Sequence, residues 1–281
     1  MPETLILGAV AYDPKVVTIW DGFQQYFAEQ GLAFDYILYT NYERQVQAQV
    51  AGHIHVAWNS PLAWLETERI AQQQGRRAEA IAMRDSDRDL TSVVITRSDG
   101  PVQTLSDLRG RRVAVGATDS PQATLIPLHV ISTHGLQPGT DFGVLVFDRL
   151  PGKHGDHIGG ERDAVRALLN GAADAACILD ANHLAFAQDG TVPAGATRVL
   201  AQTPVFDHCN FTIMDGTPTD EITRFRELLL AMSYADPAVR RLLDLEGLKQ
   251  WLPGRTEGYA LLSAATEKNG YLDKAVAGIL R

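Results

Sequence analysis

The feature that most constrains the fold is a regular alternation of apolar, strand-like runs with amphipathic helical patterns. In the first part of the chain the predicted order is strand 4–11, helix 14–30, strand 33–40, helix 41–52, strand 53–58 and helix 61–74. Successive strands joined by helices cannot pair as hairpins, so this order predicts a mainly parallel sheet with helices on its faces.

The predicted helix 14–30 has a clear amphipathic pattern. Val16, Ile19, Trp20, Phe23 and Phe27 recur at three- and four-residue spacing, which places them on one helix face. An aspartate before the helix is a candidate cap, a proline fits its first turn, and a glycine follows its end. We therefore expect this helix to bury one aromatic face against the sheet.

The alternation breaks near residue 78 and then resumes. Residues 78–97 read as two long extended segments, a second alternating block follows, 196–216 is again extended, and the tail from Thr219 is helical. Two such blocks joined by two extended crossings predict an α/β molecule with two lobes, mostly parallel sheets, helices on both faces and two hinge crossings. The predicted limits are 1–92 and 205–281 for lobe 1 and 93–204 for lobe 2.

Composition narrows the function classes. The chain is 45% hydrophobic with a formal net charge of −9, and it has no basic run of the kind that binds nucleic acid. No apolar run reaches the ~20 residues that span a bilayer, so no membrane segment is predicted. The N-terminal residues carry no export signal, which predicts a cytoplasmic protein as the chain stands, or a periplasmic one if a signal was removed.

Three strand-to-helix junctions share one design, a small polar residue followed by proline. They are Tyr12-Asp13-Pro14, Asn59-Ser60-Pro61 and Asp119-Ser120-Pro121. Helix N-termini present N–H groups and the positive end of the helix dipole, so they receive carboxylate or phosphonate groups readily. Ordinary capping is the alternative for each junction. Tyr12 and Trp58 stand beside the first two, either as pocket walls or as core.

Histidines form three further candidate groups. His53 and His55 alternate on the predicted strand 53–58 and so face one side of the sheet, which makes them weak candidates for a metal pair. His154, Asp156 and His157 lie in a glycine-rich loop without a known ligand spacing. Hydrogen-bonded or solvated histidines are the alternative, and the sequence predicts no metal and no cofactor.

His208 and Cys209 are the third group. Neighbouring residues of an extended segment face opposite ways, so we do not expect this pair to act as a thiolate and its base. Cys177 and Cys209 are too few for a disulfide framework, and both are expected to be buried free thiols.

Four segments together resemble the type 2 periplasmic-binding-protein-like superfamily, in particular the phosphate/phosphonate substrate-binding proteins of ABC transporters. They are YERQVQAQVAGHIHVAWNSPLAWLE, LSDLRGRRVAVGATDSPQATLIP, ERDAVRALLNGAADAACILD and LKQWLPGRTEGYALL. The resemblance covers most of the chain. It implies that two lobes close on a small anionic ligand, and, if the protein is exported, that an ABC transporter permease is its partner.

The resemblance also implies a set of ligand-binding residues: Tyr12, Trp58, Asn59, Ser60, Ser120, Gln122, Arg162 and Asp180. The family's Ser-Thr-Ser-Gly ligand loop corresponds to Ser120, Pro121, Gln122 and Ala123 here, which keeps one hydroxyl donor. Arg162 stands where the family has histidine, and His55 where it often has aspartate. These departures weaken the prediction of a tetrahedral phosphonate and leave a larger, flatter or carboxylated ligand as an equal alternative.

Two functions remain open at this point. The first is a solute-binding protein or sensor for a small carboxylate- or phosphonate-like anion held in the interlobe cleft. The second is a cytoplasmic enzyme on the same scaffold, a lyase or decarboxylase that acts on a small organic acid by acid–base catalysis. Its candidate catalytic residues are His157, Glu161, Asp180, His208 and Cys209.

Overall fold

The computed structural model describes residues 4–268 and 270–281. The chain divides into two compact units. Unit 1 comprises the chain up to Asp89 together with Asp207–Ser263 and Glu267–Arg281, and unit 2 comprises Leu90–Phe206 and Ala264–Thr266. The lobe boundaries predicted from the sequence, between residues 92 and 93 and between 204 and 205, remain predictions.

The elements follow the predicted alternation closely. The first stretch contains β1 (Leu5–Val10), α1 (Lys15–Glu29), β2 (Phe34–Tyr39), α2 (Tyr42–Val50), β3 (Val56–Asn59), α3 (Pro61–Gln73) and β4 (Ala78–Arg84). Unit 2 contains β5 (Ser92–Arg97), β6 (Arg112–Val115), α4 (Ile126–Thr133), β7 (Gly143–Val146), α5 (Gly159–Leu169), β8 (Ala175–Leu179), α6 (Asp180–Gln188) and β9 (Thr197–Gln202). The remainder contains β10 (Asn210–Met214), α7 (Thr219–Ala231), α8 (Pro237–Glu246), β11 (Trp251–Pro253), α9 (Ala260–Lys268) and α10 (Tyr271–Ile279).

The α/β class is confirmed, but both sheets are mixed instead of mostly parallel. The strand order is β11-β4-β10-β3-β1-β2 in unit 1 and β7-β6-β8-β5-β9 in unit 2. β1 pairs in parallel with β2 and β3, whereas β10 runs antiparallel to β3 and β4. A crossover helix imposes parallel pairing only on the strands that it joins. β10 enters without such a helix, after the chain has passed through unit 2.

The core of unit 1 is built on α1, as its spacing predicts. Val16, Ile19, Trp20, Phe23 and Phe27 are all buried on one face of the helix. They join an aromatic cluster with residues from β10, α7 and β11. Burying side chains of this size contributes about 1.5–3 kcal/mol each to folding.

Two local details differ from the sequence prediction. β3 begins at Val56, so His53 and His55 lie in the turn before it and do not alternate on a strand. His55 is held by Ile6, which donates its N–H to the ring Nδ1 at 3.0 Å and accepts the His55 N–H at 2.8 Å. The histidine side chain thus takes the place of a strand partner for β1 just before the β1–β3 pairing begins at Leu7 and Val56. The Ser120 helix also starts differently, with a π-helical turn, Pro121–Leu125, before α4.

Among the described residues, no helix combines the length and the apolar character that crossing a membrane requires.

Candidate functional site

The first junction in unit 1 is the start of α3. All residues of β3 are buried, and Ser60 follows with its hydroxyl oxygen accepting the N–H of Ala63 at 3.2 Å. Pro61 is the first helical residue, where its missing N–H costs nothing. The serine therefore caps the helix where the sequence predicts, and it is fully buried.

Asn59 holds this junction through a buried amide network. The side-chain amide of Gln45 donates two hydrogen bonds from Nε2, one to Asn59 Oδ1 at 2.7 Å and one to the carbonyl of Trp58 at 2.9 Å. Asn59 Nδ2 lies 3.4 Å from Gln49 Oε1 and 3.4 Å from Thr67 Oγ1. Both ends of the Asn59 amide are committed to the protein, so its part in unit 1 is to fix the strand end that carries Ser60.

The two aromatic candidates in unit 1 have different surroundings. Trp58 is 5% exposed, with its ring centroid 4.6 Å from that of Phe211 and the Arg84 guanidinium 5.1 Å from the ring. It is therefore part of the core of unit 1. Tyr12 is half-buried and has the Lys15 ammonium 5.8 Å from its ring.

The junction beside Tyr12 differs from the prediction by one residue. The backbone of Pro14 is already helical and occupies the cap position, and α1 begins at Lys15. Asp13 still acts at the helix start, because its Oδ1 accepts the N–H of Lys15 at 2.9 Å. The aspartate is exposed and adds negative charge at the positive end of the helix dipole.

The corresponding junction in unit 2 is built around Ser120. Its hydroxyl oxygen accepts the N–H of Ala123 at 3.1 Å, and its carbonyl accepts the N–H of Leu125 at 2.9 Å. The second bond spans five residues and so creates the π-helical turn. Such turns often occur at functional sites.

A glycine-rich segment of unit 2, which we term the 150–158 loop, packs directly on this junction. Gln122 donates Nε2–H to the carbonyl of Gly155 at 2.7 Å, and Gly152 donates its N–H to Asp119 Oδ2 at 2.5 Å. A Cβ atom on Gly155 would lie 2.3 Å from Ser120 Oγ, and the φ of this glycine is +82°. Only glycine permits so close an approach.

Two acceptor atoms beneath this loop lack a hydrogen-bond partner among the described residues. They are Asp119 Oδ1 and Gln122 Oε1, on side chains that are 6% and 4% exposed. A buried acceptor without a donor costs about 1–3 kcal/mol. The junction therefore has capacity for a donor from outside the chain.

The α5 candidates in unit 2 bind within their own unit. Glu161 is buried, and its Oε2 accepts the N–H of Leu179 and the side-chain N–H of Asn182, both at 2.9 Å. This carboxylate caps the start of α6. Its placement on α5 explains why the sequence gives α6 no cap residue of its own.

Arg162, the next residue, reaches the other end of α6. Its Nη1 donates to Asp189 Oδ2 at 2.7 Å and to the Thr191 hydroxyl, and its guanidinium lies 4.3 Å from the centre of the Phe186 ring. Hydrogen bonds from Thr191 and the charge of Arg162 lower the pKa of Asp189 to about 2. Arg162 is thus engaged with one carboxylate already.

His157 and Asp180 complete the candidates in unit 2. His157 is half-buried, and its Nδ1 accepts the N–H of Gly159 at 3.1 Å. Asp180 is the first residue of α6 and half-buried, with its N–H donated to the carbonyl of Thr91 at 2.9 Å. Asp180 adds negative charge to the first turn of this helix, which complements the helix dipole.

His208 and Cys209 contradict the expectation that they face opposite ways. His208 Nδ1 lies 3.1 Å from Cys209 Sγ and 3.5 Å from Asp87 Oδ1. Both side chains therefore lie on the same side of the irregular segment that leads into β10. Asp87, which the sequence analysis did not single out, is held by two hydrogen bonds from Arg84, at 2.5 and 2.9 Å. The only signal for it was a run of acidic residues, DSDRD, after β4.

The predicted site residues therefore gather in each unit by itself. Unit 1 brings together Trp58, Asn59 and Ser60, and separately His208 and Cys209. Unit 2 brings together Ser120 and Gln122 under the 150–158 loop, and it places Glu161 and Asp180 at the start of α6.

The sequence was also compared with known protein families, and one family matches. The sequence profile of the family described as "ABC transporter, phosphonate, periplasmic substrate-binding protein" matches residues 9–259.

Solved structures share the fold at low sequence identity. PhnD1 from Prochlorococcus marinus in complex with methylphosphonate superposes with a TM-score of 0.71 at 15% identity, covering 96% of this chain and 100% of that one. A binding protein component of an ABC phosphonate transporter from Pseudomonas aeruginosa gives 0.64 at 13% identity, covering 99% and 97%. The periplasmic aliphatic sulphonate binding protein SsuA from Escherichia coli gives 0.61 at 17%, covering 96% and 88%.

Proposed function

The chain belongs to the phosphonate group of periplasmic substrate-binding proteins of ABC transporters, and from this premise we propose that it binds a small carboxylate- or phosphonate-like anion for such a transporter. Proteins of similar fold are described as bound to methylphosphonate or as binding aliphatic sulphonates. These ligands are small organic molecules with an acidic group.

One observation carries the proposal. Each unit begins a helix with a buried serine followed by proline, at Ser60 in unit 1 and at Ser120 in unit 2. In both, the serine oxygen accepts a helix N–H, and a serine hydroxyl is of the donor type that binds acidic oxygens. The helix dipole adds positive potential at the same point.

The two acceptor atoms of unit 2 that lack a hydrogen-bond partner narrow the kind of anion that we propose as the ligand. Asp119 Oδ1 and Gln122 Oε1 accept hydrogen bonds and cannot satisfy an anionic oxygen. A ligand that carries an amino or hydroxyl group beside its acidic group would satisfy both kinds of atom. We therefore propose a bifunctional anion over a simple one such as methylphosphonate.

The remaining predicted residues take supporting roles in this proposal. Ser60, Ser120 and Gln122 are proposed as direct ligand contacts, with Tyr12 and Asp180 as further contacts because both are half-buried. Trp58, Asn59 and Arg162 are proposed to hold those residues in place, since their polar or aromatic groups are engaged within their own units.

Membership of this transporter family leads to two further proposals, about the partner and the location. The partner is the membrane-embedded permease of an ABC transporter, and the place of action is the periplasm. Both rest on the description of the family.

Native mass spectrometry of the purified chain is the test of the function. We expect a retained or added small anion at a stoichiometry of one, with a bifunctional anion such as an aminoalkyl phosphonate binding more tightly than methylphosphonate. The bound molecule should be recovered unchanged after incubation. Failure of every phosphonate, sulfonate and carboxylate tried, or recovery of a converted product, would overturn the proposal.

A further inference from the structure

A buried cluster in unit 1 brings three different metal-ligating atoms together. The side chains are Asp87, His208 and Cys209, which are 1%, 8% and 2% exposed. Their ligand atoms all lie within 4.8 Å of one another, with Nδ1–Sγ at 3.1 Å and Nδ1–Oδ1 at 3.5 Å. No part of the proposed anion site uses them.

The spacing matches the requirements of a tetrahedral zinc ion. Zinc bonds to sulfur, nitrogen and carboxylate oxygen are about 2.3, 2.0 and 2.0 Å long, which places neighbouring ligand atoms about 3.3–3.6 Å apart. The two distances that involve His208 Nδ1 lie within about 0.5 Å of that range. The third pair, Asp87 and Cys209, has its ligand atoms within 4.8 Å of each other.

Two of the three ligands are already held in place, Asp87 through its side chain and His208 through its backbone. Arg84 donates Nε–H and Nη2–H to the two carboxylate oxygens of Asp87. His208 donates its backbone N–H to the carbonyl of Asp87 at 2.8 Å, and its own carbonyl accepts the Tyr259 hydroxyl at 2.9 Å. Hydrogen bonds of this kind, which orient metal ligands, are a regular feature of zinc sites.

The charges around the cluster also favour a cation. Arg84 forms ion pairs with both Asp87 and Glu246, which leaves one excess negative charge among these three groups. A dipositive ion bound with a deprotonated thiolate brings this set to neutrality, which matters most where water is excluded.

We propose that Asp87, His208 and Cys209 bind one Zn²⁺ ion through Oδ1, Nδ1 and Sγ. The Cys209 thiol releases its proton to solvent as the sulfur–zinc bond forms. A mixed sulfur, nitrogen and oxygen donor set suits Zn²⁺ better than Mg²⁺ or Ca²⁺, which prefer oxygen alone. Three protein ligands leave a fourth coordination position, which one bound water molecule can fill.

The test uses the full chain after removal of metal with a chelator. Zn²⁺ is titrated by calorimetry, and Co²⁺ serves as a spectroscopic substitute because Zn²⁺ has no d–d spectrum. We expect one Zn²⁺ per chain, and a thiolate-to-cobalt charge-transfer band in the Co²⁺ form. Cys209→Ser should abolish the band and weaken Zn²⁺ binding beyond the roughly 10–100-fold that loss of a supporting residue causes.

Cys177→Ser is the matched control. Cys177 is the other buried cysteine, it lies in unit 2, and burial raises its pKa to about 12. This variant should retain both the stoichiometry and the band. Absence of stoichiometric binding, absence of the band in the wild type, or equal losses in the two serine variants would overturn the proposal. If Cys209→Ser does not fold, the wild-type band alone decides.

Discussion

The contact between the 150–158 loop and the Ser120 junction makes a sharp prediction about two glycines of unit 2. Gly155 and Gly139 both have a positive φ, +82° and +77°. A Cβ on Gly155 would meet Ser120 Oγ at 2.3 Å and Gln122 Nε2 at 2.7 Å, whereas a Cβ on Gly139 meets nothing within 4 Å. Alanine at the two positions therefore adds the same backbone strain, but only Gly155→Ala adds a collision.

The magnitudes follow from these contacts. The left-handed backbone costs an alanine about 1–2 kcal/mol at either position. At Gly155 the collision also separates the carbonyl of that residue from Gln122 Nε2, and a buried donor left unpaired costs about 1–3 kcal/mol more. We expect Gly139→Ala to lower the free energy of unfolding by about 1–2 kcal/mol and Gly155→Ala by about 2–5 kcal/mol.

Urea titration measures the free energy of unfolding. Hydrogen exchange measured by mass spectrometry shows which segments lose protection. Faster exchange in Gly155→Ala should concentrate in the 150–158 loop and in the first turn after Ser120, and Gly139→Ala should not affect either. Equal destabilisation by the two substitutions, with no change in exchange near Ser120, would refute the packing of the loop on the junction.

Three further predictions concern single groups. Ser60→Ala leaves the Ala63 N–H without its cap and should lower the free energy of unfolding by about 1 kcal/mol in urea titrations; no change would contradict the capping role. The pKa of Asp189 is lowered to about 2 by hydrogen bonds from Thr191 and by Arg162. Its contribution to stability is therefore complete above about pH 4 and is lost as the pH falls through 2. The gap in thermal stability between wild type and Asp189→Asn should close over that window, and a gap that is constant with pH would contradict the ion pair. Arg162→Lys loses the planar fork and should lower stability by less than about 1 kcal/mol. It should leave anion affinity unchanged in calorimetry, whereas a tenfold loss of affinity would make Arg162 a ligand contact.

The sequence was sufficient for the elements whose signals are local. The buried face of α1 follows from three- and four-residue spacing, and the starts of α3 and of the Ser120 helix follow from serine and proline at adjacent positions. Each of these signals acts within a few residues, so no tertiary contact is needed to interpret it. The order of strands and helices follows in the same way.

The errors arose where distant parts of the chain decide the outcome. His55 was expected on a strand, but Ile6 binds its ring and its N–H together and holds it in the turn before β3. The direction of β10 depends on how the chain returns to unit 1 after Leu90–Phe206, and no local sequence pattern encodes that return. Asp87 reaches His208 only through that same return, so the sequence showed two of the three members of the cluster.

The most direct test of the central claim is calorimetric titration of a panel of phosphonates, sulfonates and carboxylates into wild type, Ser60→Ala and Ser120→Ala. Ser132→Ala is the control, because Ser132 is also buried but lies near the end of α4, where its hydroxyl donates to the carbonyl of Leu128 at 2.8 Å instead of capping the start of a helix. We predict binding of at least one anion by wild type and by Ser132→Ala. Each of the other variants should bind it about 10–100-fold more weakly, as expected for loss of a hydrogen bond to a charged group. Equal affinity in all four proteins, or binding of no anion by any of them, would contradict the claim that the two serine-capped helix starts bind the ligand.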